Sequence, residues 1–312
     1  MGRILVAGSS NTDLISKVER FPVAGETVQG RFYMQAMGGK GANQALAAHR
    51  AGGHVQFATC VGDDSNGSDT LEYYKSEGLD VSLVRQISGV PSGTAVILVN
   101  DAGENIIVIN PGANGMFTPS VAAGLERAIG EATLVMLQME IPYETVEAIC
   151  KTASAKNIRV MLNVAPARKI SEQFIRYLDT IVVNETEIET ICDARITDIG
   201  ETAILDKLFA MGPQTAILTV GKSGCFVKTK SGTFRASAYE IEAVDTTAAG
   251  DTFCGALAAQ LANGIAIESA IRFATAAAAL SVMRMGAQPS IPGEKAIYEF
   301  INSKPSLSIE RM

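Results

Sequence analysis

The sequence predicts an α/β protein: a three-layer, Rossmann-like parallel sheet flanked by helices, with a small β-sheet set apart from it. Three observations lead there. Short apolar runs recur along the chain, amphipathic helical stretches lie between many of them, and polar residues gather where the runs end. At 312 residues, 47% hydrophobic and 19% charged, the chain has enough apolar content for one large domain, or one large and one small.

Residues 4–7 (Ile-Leu-Val-Ala, then Gly8) read as a buried strand that turns polar only past its end. Runs at 55–61, 134–137, 159–162, 180–183 and 216–220 follow the same plan, with helices expected at 41–51, 145–155, 202–211 and 271–285. In such sheets ligands bind beyond the carboxyl ends of the strands. Asn11, Asp13, Asn163, Asn184, Glu187, Thr219 and Gly221 stand at those ends. Two stretches break the alternation. A Pro-Val-Ala-Gly turn precedes an expected strand at 27–37, and runs at 95–99 and 106–109 flank Asn100-Asp101-Ala102-Gly103, a hairpin signal. The tail after Lys304 is expected to be loose.

Net charge of −7 argues against nucleic acid or an anionic membrane surface as partner. Five scattered cysteines without a C-x-x-C pair fit reduced thiols in a cytoplasm, and two histidines make a His-rich metal site improbable. The amino terminus lacks a signal-peptide plan, and no apolar run approaches the roughly 20 residues of a membrane span.

The most informative segment is Asp245-Thr246-Thr247-Ala248-Ala249-Gly250-Asp251-Thr252-Phe253, which opens into an Ala/Leu-rich helix. A helix start of small residues offers free N–H groups and the positive dipole end to an anion. Asp251 places a carboxylate inside that anion site, which helps only if the loop must also take a proton from an attacking hydroxyl. Phosphoryl transfer follows from this reading; an ordinary N-capped helix accounts for Asp251 taken alone. Gly38-Gly39-Lys40-Gly41-Ala42-Asn43-Gln44 is a second glycine-rich turn at a helix start, with Asn43 offering both donor and acceptor. Asp13 suits either sugar hydroxyls or an Asx-turn, Glu140 a helix start, and Asn184-Glu185-Thr186-Glu187 a capped helix with first-turn acids. Gly221-Lys222-Ser223 is no P-loop, because Ala216 stands where the Walker glycine belongs.

Taken in order, these motifs resemble those of ribokinase-like carbohydrate kinases, from Gly8 to Ser290. The resemblance implies ATP-dependent phosphorylation of D-ribose at O5, with Asp251 as base and Ala248, Ala249 and Gly250 as the anion hole. It assigns Asn11, Asp13, Gly39, Lys40, Asn43, Glu140 and Asp251 to the sugar. Asn184, Thr219, Gly221, Gly224, Gly250 and Thr275 fall to the nucleotide. Glu187 would hold Mg²⁺ through water, and Asp245, Thr247, Ser281, Arg284, Gly286 and Ser290 an activating K⁺. It also implies a kinase domain (1–14, 38–93 and 111–312), a β-lid over the sugar (15–37 and 94–110), and a homodimer through the lid. Thr275, Cys254 and Val164 depart from the family pattern, where His or Asn, Asn, and proline are usual. A 2-deoxyribose kinase is the neighbouring alternative, opposed by Asn11, whose amide would lack a 2-hydroxyl partner. A non-catalytic sugar sensor is the alternative of another class, opposed by Asp251, and a Rossmann oxidoreductase lacks its G-x-G-x-x-G.

Overall fold

The structure is a computed structural model and describes residues 2–304 and 307–312. In chain order its strands are β1 (Arg3–Ala7), β2 (Asn11–Lys17), β3 (Phe32–Gly38), β4 (His54–Gly62), β5 (Asp80–Ile87), β6 (Gly93–Val99), β7 (Asn105–Asn110), β8 (Leu134–Leu137), β9 (Arg159–Asn163), β10 (Thr180–Val183), β11 (Thr215–Thr219), β12 (Cys225–Thr229), β13 (Gly232–Ala236) and β14 (Ile309–Arg311). The large sheet has the order β14-β13-β12-β11-β10-β9-β8-β1-β4-β5, parallel from β11 through β5. β12, β13 and β14 extend it antiparallel, an addition the alternation of the sequence did not announce. Of the tail expected to be loose, Pro305 and Ser306 lie outside the described residues. Ile309–Arg311 is instead held, because β14 pairs with β13 and gains ladder hydrogen bonds at an open sheet edge.

β1 shows why the parallel strands read as continuous apolar runs. Ile4 and Val6 pack into one core with the helices Lys40–Arg50, Ala249–Ala262 and Ile267–Val282, while Leu5 and Ala7 face a second core with Tyr143–Ala155, Glu185–Cys192 and Glu201–Ala210. All four are fully buried, and each large aliphatic so placed contributes roughly 1.5–3 kcal/mol. The helix expected at 271–285 runs from Ile267 to Val282 instead, because Asp245 N–H and Val244 N–H both bond to Val282 O and the chain turns away there.

The small sheet has the order β3-β2-β6-β7. The strand expected at 27–37 begins only at Phe32. Its partner β2 leaves the ladder after Lys17, where Val18 N–H turns to Val99 O, so residues 27–30 have nothing to pair with. Because β1 ends and β2 begins within residues 7–11, the carboxyl edge of the large sheet and the base of the small sheet meet around Ser9–Asn11.

Candidate active site

Asp251 lies in the first turn of the helix Ala249–Ala262 and is 94% removed from solvent, whereas Gly250 before it is exposed. Ala248 sits at the helix start in the left-handed conformation (φ 58°, ψ 13°), which costs a non-glycine residue about 1 kcal/mol. A Cβ placed on Gly250 meets nothing within 4 Å, and its φ is not positive. The protein's own packing therefore does not require glycine there, and its absent side chain leaves the backbone open to close approach by a ligand. The turn is an open cradle of first-turn N–H groups with a buried carboxylate behind it.

The helix Lys40–Arg50 crosses close to this turn. Gly255, one turn beyond Asp251, makes the approach feasible: a Cβ on it would stand 2.5 Å from Ala47 Cβ and 2.6 Å from Gln44 O. Asn43 Nδ2 then donates to Asp251 Oδ2 at 3.0 Å, and Gln44 Nε2 to Oδ1 at 2.8 Å. The Lys40–Arg50 helix has no capping side chain of its own. Glu140 Oε2 accepts from Lys40 N–H at 3.0 Å and from Ser9 Oγ at 2.6 Å, and Ser9 Oγ accepts from Gly41 N–H at 3.2 Å. Glu140 thus caps a helix, but one remote in sequence; the local helix start expected for it is absent, since the following helix begins only at Tyr143. Gly39, at φ 89°, lets the loop pass within contact of Ser10 and Asn11.

Asn11, Asp13, Gly39, Lys40, Asn43, Glu140 and Asp251 are brought together here. Burial, then Glu140 and Asp251, push the Asp13 carboxyl up to about 7. Asp251 and, to a lesser degree, Glu140 and Glu187 raise the Lys40 ammonium, which stays a cation among carboxylates. Asn11 Oδ1 accepts from Asn114 Nδ2 at 2.8 Å, and Asn114 also bonds both ways with the Ser10 backbone. That orientation leaves the Asn11 amide donor for something else.

Of the residues expected at the nucleotide, Asn184, Thr219, Gly221 and Gly224 lie at or just past the ends of β10 and β11, while Gly250 and Thr275 lie on helices. Asn184 and Glu187 form a reciprocal capping box (2.8 and 2.9 Å), so the helix-start reading of this motif holds in the structure. Glu187 is nevertheless 95% buried, and burial raises its carboxyl to about 7. A single carboxylate that spends one oxygen on Asn184 N–H offers few protein ligands, which fits an octahedral divalent ion of the Mg²⁺ kind that keeps most of its waters. Thr219 closes β11 with its hydroxyl on Val183 O, and Gly221–Ser223 make one 3₁₀ turn. Gly224 (φ 94°) has Ala236 O where a Cβ would be, at 2.0 Å. Thr275 is buried in the helix Ile267–Val282.

Of the remaining set, Asp245 joins Thr247 to Gly286. Its Oδ1 accepts from Thr247 N–H (2.9 Å) and Oγ1 (2.6 Å), and its Oδ2 from Gly286 N–H (2.8 Å). Burial pushes this carboxyl up, but the Thr247 and Gly286 hydrogen bonds outweigh it and hold it below the ordinary range. Ser281 and Ser290 are fully buried with hydroxyls bonded to Ala278 O and Ala287 O, and Arg284 N–H bonds Ser281 O while its side chain faces solvent. A carboxylate, hydroxyls and carbonyls are hard oxygen donors, a set that fits an alkali cation. Among the described residues no three His, Cys, Asp or Glu side chains cluster as a metal site.

Sequence reasoning missed the amides beneath Asp251: Gln44, Gln138, Asn163 as a hydrogen-bonding residue, and Gln288. The available signal was Gln44 itself, a polar residue in the run Gly-Ala-Asn-Gln-Ala-Leu-Ala-Ala of a helix that buries it completely. The departures at Cys254 and Val164 fill core positions; burial, then Asp251 and Glu187, push the Cys254 thiol well above its usual range. All five cysteines are free and buried, and no helix among the described residues is long and apolar enough to cross a membrane.

The profile of the pfkB family carbohydrate kinases matches residues 1–294. The chain is 37% identical over 299 residues to a ribokinase of Haemophilus influenzae, covering 96% of this chain and 98% of that one. Among solved structures it is similar to a ribokinase of Thermotoga maritima (35% identity, TM-score 0.89, covering 97% of this chain and 100% of the other). It is likewise similar to a ribokinase of Arabidopsis thaliana complexed with ribose and ATP (28% identity, TM-score 0.90, 96% and 98% covered). By sequence, fold and the order of its motifs, the chain belongs to the pfkB family of carbohydrate kinases.

Proposed function

We propose that this chain transfers the γ-phosphoryl group of ATP to O5 of D-ribose, giving D-ribose 5-phosphate and ADP. One observation carries the reading: a buried carboxylate, Asp251, lies directly behind an open glycine-bearing helix start and hydrogen-bonds Asn43 of the second glycine-rich turn. Asn11, Asp13, Gly39, Lys40, Asn43 and Glu140 hold the sugar. Asp251 accepts the proton of its terminal hydroxyl as that oxygen bonds to the γ-phosphorus and the bond to the β-phosphate oxygen breaks, releasing ADP. The backbone of Ala248–Gly250 takes up the charge on the transferring group. Asn184, Thr219, Gly221, Gly224 and Thr275 receive the nucleotide.

Glu187 would hold Mg²⁺ through water, and the ion when bound neutralises phosphate charge. Asp245, Thr247, Ser281, Arg284, Gly286 and Ser290 would hold K⁺ behind the anion hole, bracing the loop without touching substrate. Residues 15–37 and 94–110 act as a lid that excludes water, on a kinase domain of 1–14, 38–93 and 111–312. β7 supports a lid that also pairs two chains: Ile106, Ile107, Val108 and Ile109 are 46–55% exposed, so neither face of this edge strand is covered. Free buried thiols support a reducing, cytoplasmic setting.

ADP release measured against a sugar panel (D-ribose, 2-deoxy-D-ribose, D-fructose, a nucleoside), in K⁺ and in Na⁺, tests the reading. The expected outcome is turnover strongest with ribose. Preference for 2-deoxyribose overturns the sugar assignment, and sugar binding without ADP release makes the chain a sensor.

A further inference from the structure

Behind Asp251 lies a chain of buried side-chain amides that the proposed reaction does not use. Gln44 is fully buried and spends both of its donors: Nε2 donates to Asp251 Oδ1 (2.8 Å) and to Asn163 Oδ1 (3.0 Å), and Oε1 accepts from Gln138 Nε2 (2.7 Å). The directions of Asn163 and Gln44 are fixed from the Val182 carbonyl and the Asp251 carboxylate, whereas Gln138 Oε1 is buried without a partner and that amide is held by its bond to Gln44 alone. Val182 O is an acceptor only, so Asn163 must turn Nδ2 toward it (3.2 Å) and present Oδ1 to Gln44. Gln138 donates to the other end of the Gln44 amide. A flipped Gln44 would set its oxygen against the carboxylate and the Asn163 oxygen at once. Gly8 leaves the space that Gln138 occupies; a Cβ there would stand 2.0 Å from Gln138 Oε1.

We infer that Gln44, locked by Gln138 and Asn163, is the positioning residue that aims the Asp251 carboxylate, holding Oδ1 so that Oδ2 is the oxygen that takes the sugar proton. The inference rests on the reading of Asp251 as the base. Oδ2 is bonded only to Asn43, which belongs to the proposed sugar set and whose own oxygen is steadied by Gln288 Nε2 (3.1 Å). When ribose engages Asn43, Oδ2 is released to the incoming hydroxyl, while Gln44 keeps its grip on Oδ1. A carboxylate free to rotate about its Cβ–Cγ bond would meet the hydroxyl with the wrong oxygen or the wrong angle, and misplacement of about 1 Å costs about 10²-fold in rate.

The test uses the full chain with D-ribose and MgATP. In Gln44→Met, matched in volume, kcat should fall about 10²-fold while KM and the calorimetric Kd for ribose stay within about twofold of the parent. Gln138→Met, which touches neither Asp251 nor the proposed sugar residues, should lower kcat in the same way by about tenfold. In an Asp251→Asn background Gln44→Met should leave the residual turnover unchanged, since no anion remains to be aimed. A kcat within about twofold of the parent in both single variants overturns the inference, as does a loss carried by ribose affinity instead of kcat. Should Gln44→Met fail to fold, Gln138→Met decides alone. Near-parent turnover by Asp251→Asn would refute the base itself; a dead Asp251→Asn beside two unaffected glutamine variants refutes only the positioning role.

Discussion

The floor of the site and the sheet above it are built on opposite plans. Around Asp251 both carboxylate oxygens are bonded, Asn163 is oriented by the Val182 carbonyl, and the start of the Lys40–Arg50 helix is capped by Glu140 from a distant segment. In the small sheet, β7 has four consecutive aliphatic residues about half exposed, and the ion pairs at the end away from Asn11 (Arg31 with Glu19 and Asp101) join exposed groups worth little each. Breaking any of these bonds would leave a buried polar group unpaired, a cost that holds the floor in place. The small sheet has no such penalty holding it in place, which suits the closing lid and the pairing strand proposed for it.

The largest effect should come from the floor. Asp251→Asn should keep the fold and ribose binding and lose about 10²–10⁴-fold in kcat; steady-state rates beside calorimetry of ribose binding check it, and near-parent turnover removes Asp251 as the base. Next, Gly250→Ala should cost about 10–10²-fold in kcat, the scale of losing an anion-hole donor. Its melting temperature should not fall, because the added Cβ meets no protein atom. A clear loss of stability would show that glycine serves the fold there.

Asp245→Ala should abolish the advantage of K⁺ over Na⁺ in the assay of ADP release, because it removes the carboxylate that joins Thr247 to Gly286. Equal rates of the parent in both salts take the ion out of the account. On the side of the small sheet, Val108→Lys should shift sedimentation at micromolar concentration from two chains to one, with a modest rise in KM for ribose and kcat nearly kept. A parent that sediments as a single chain, with or without ribose, breaks the comparison at its weaker half.

The smallest effect concerns stability. The folded Asp13 carboxyl titrates near 7 and the unfolded one near 3.8, so between these values the folded state binds more protons. Stability from this group is therefore full below about pH 4 and is lost as pH rises through 7. Asp13→Asn should then melt about 2–4 °C higher than the parent at pH 8, with the gap closing near pH 4, while ribose binding weakens. Scanning calorimetry at the two pH values decides it; a gap independent of pH would place the cause in packing.

Much of this was legible in the chain. Apolar runs such as Ile4-Leu5-Val6-Ala7 read as buried strands because a parallel sheet covered on both faces leaves no position for a polar side chain. Asp245–Asp251 and Gly38–Gln44 read as ligand turns because glycine and a carboxylate at a helix start have few other uses in combination. Strands β12–β14 were not legible: antiparallel edge pairing depends on which partner the fold leaves open. Residues 27–30 misled for the same reason, being strand-like in composition but opposite nothing.

What the sequence determined by itself was the layered fold, the two ligand turns and the candidate base, since each follows from local rules of burial period, backbone freedom and helix ends. Only the tertiary structure decided that Glu140 caps a helix a hundred residues away, that β7 stands bare on both faces, and that Gln138 and Asn163 meet at Gln44, which donates to one oxygen of Asp251. Hydrogen bonds between residues 94 and 207 positions apart leave no periodic trace in the chain. They arise because helices that carry glycine at their crossing can approach closely enough to share a buried polar group.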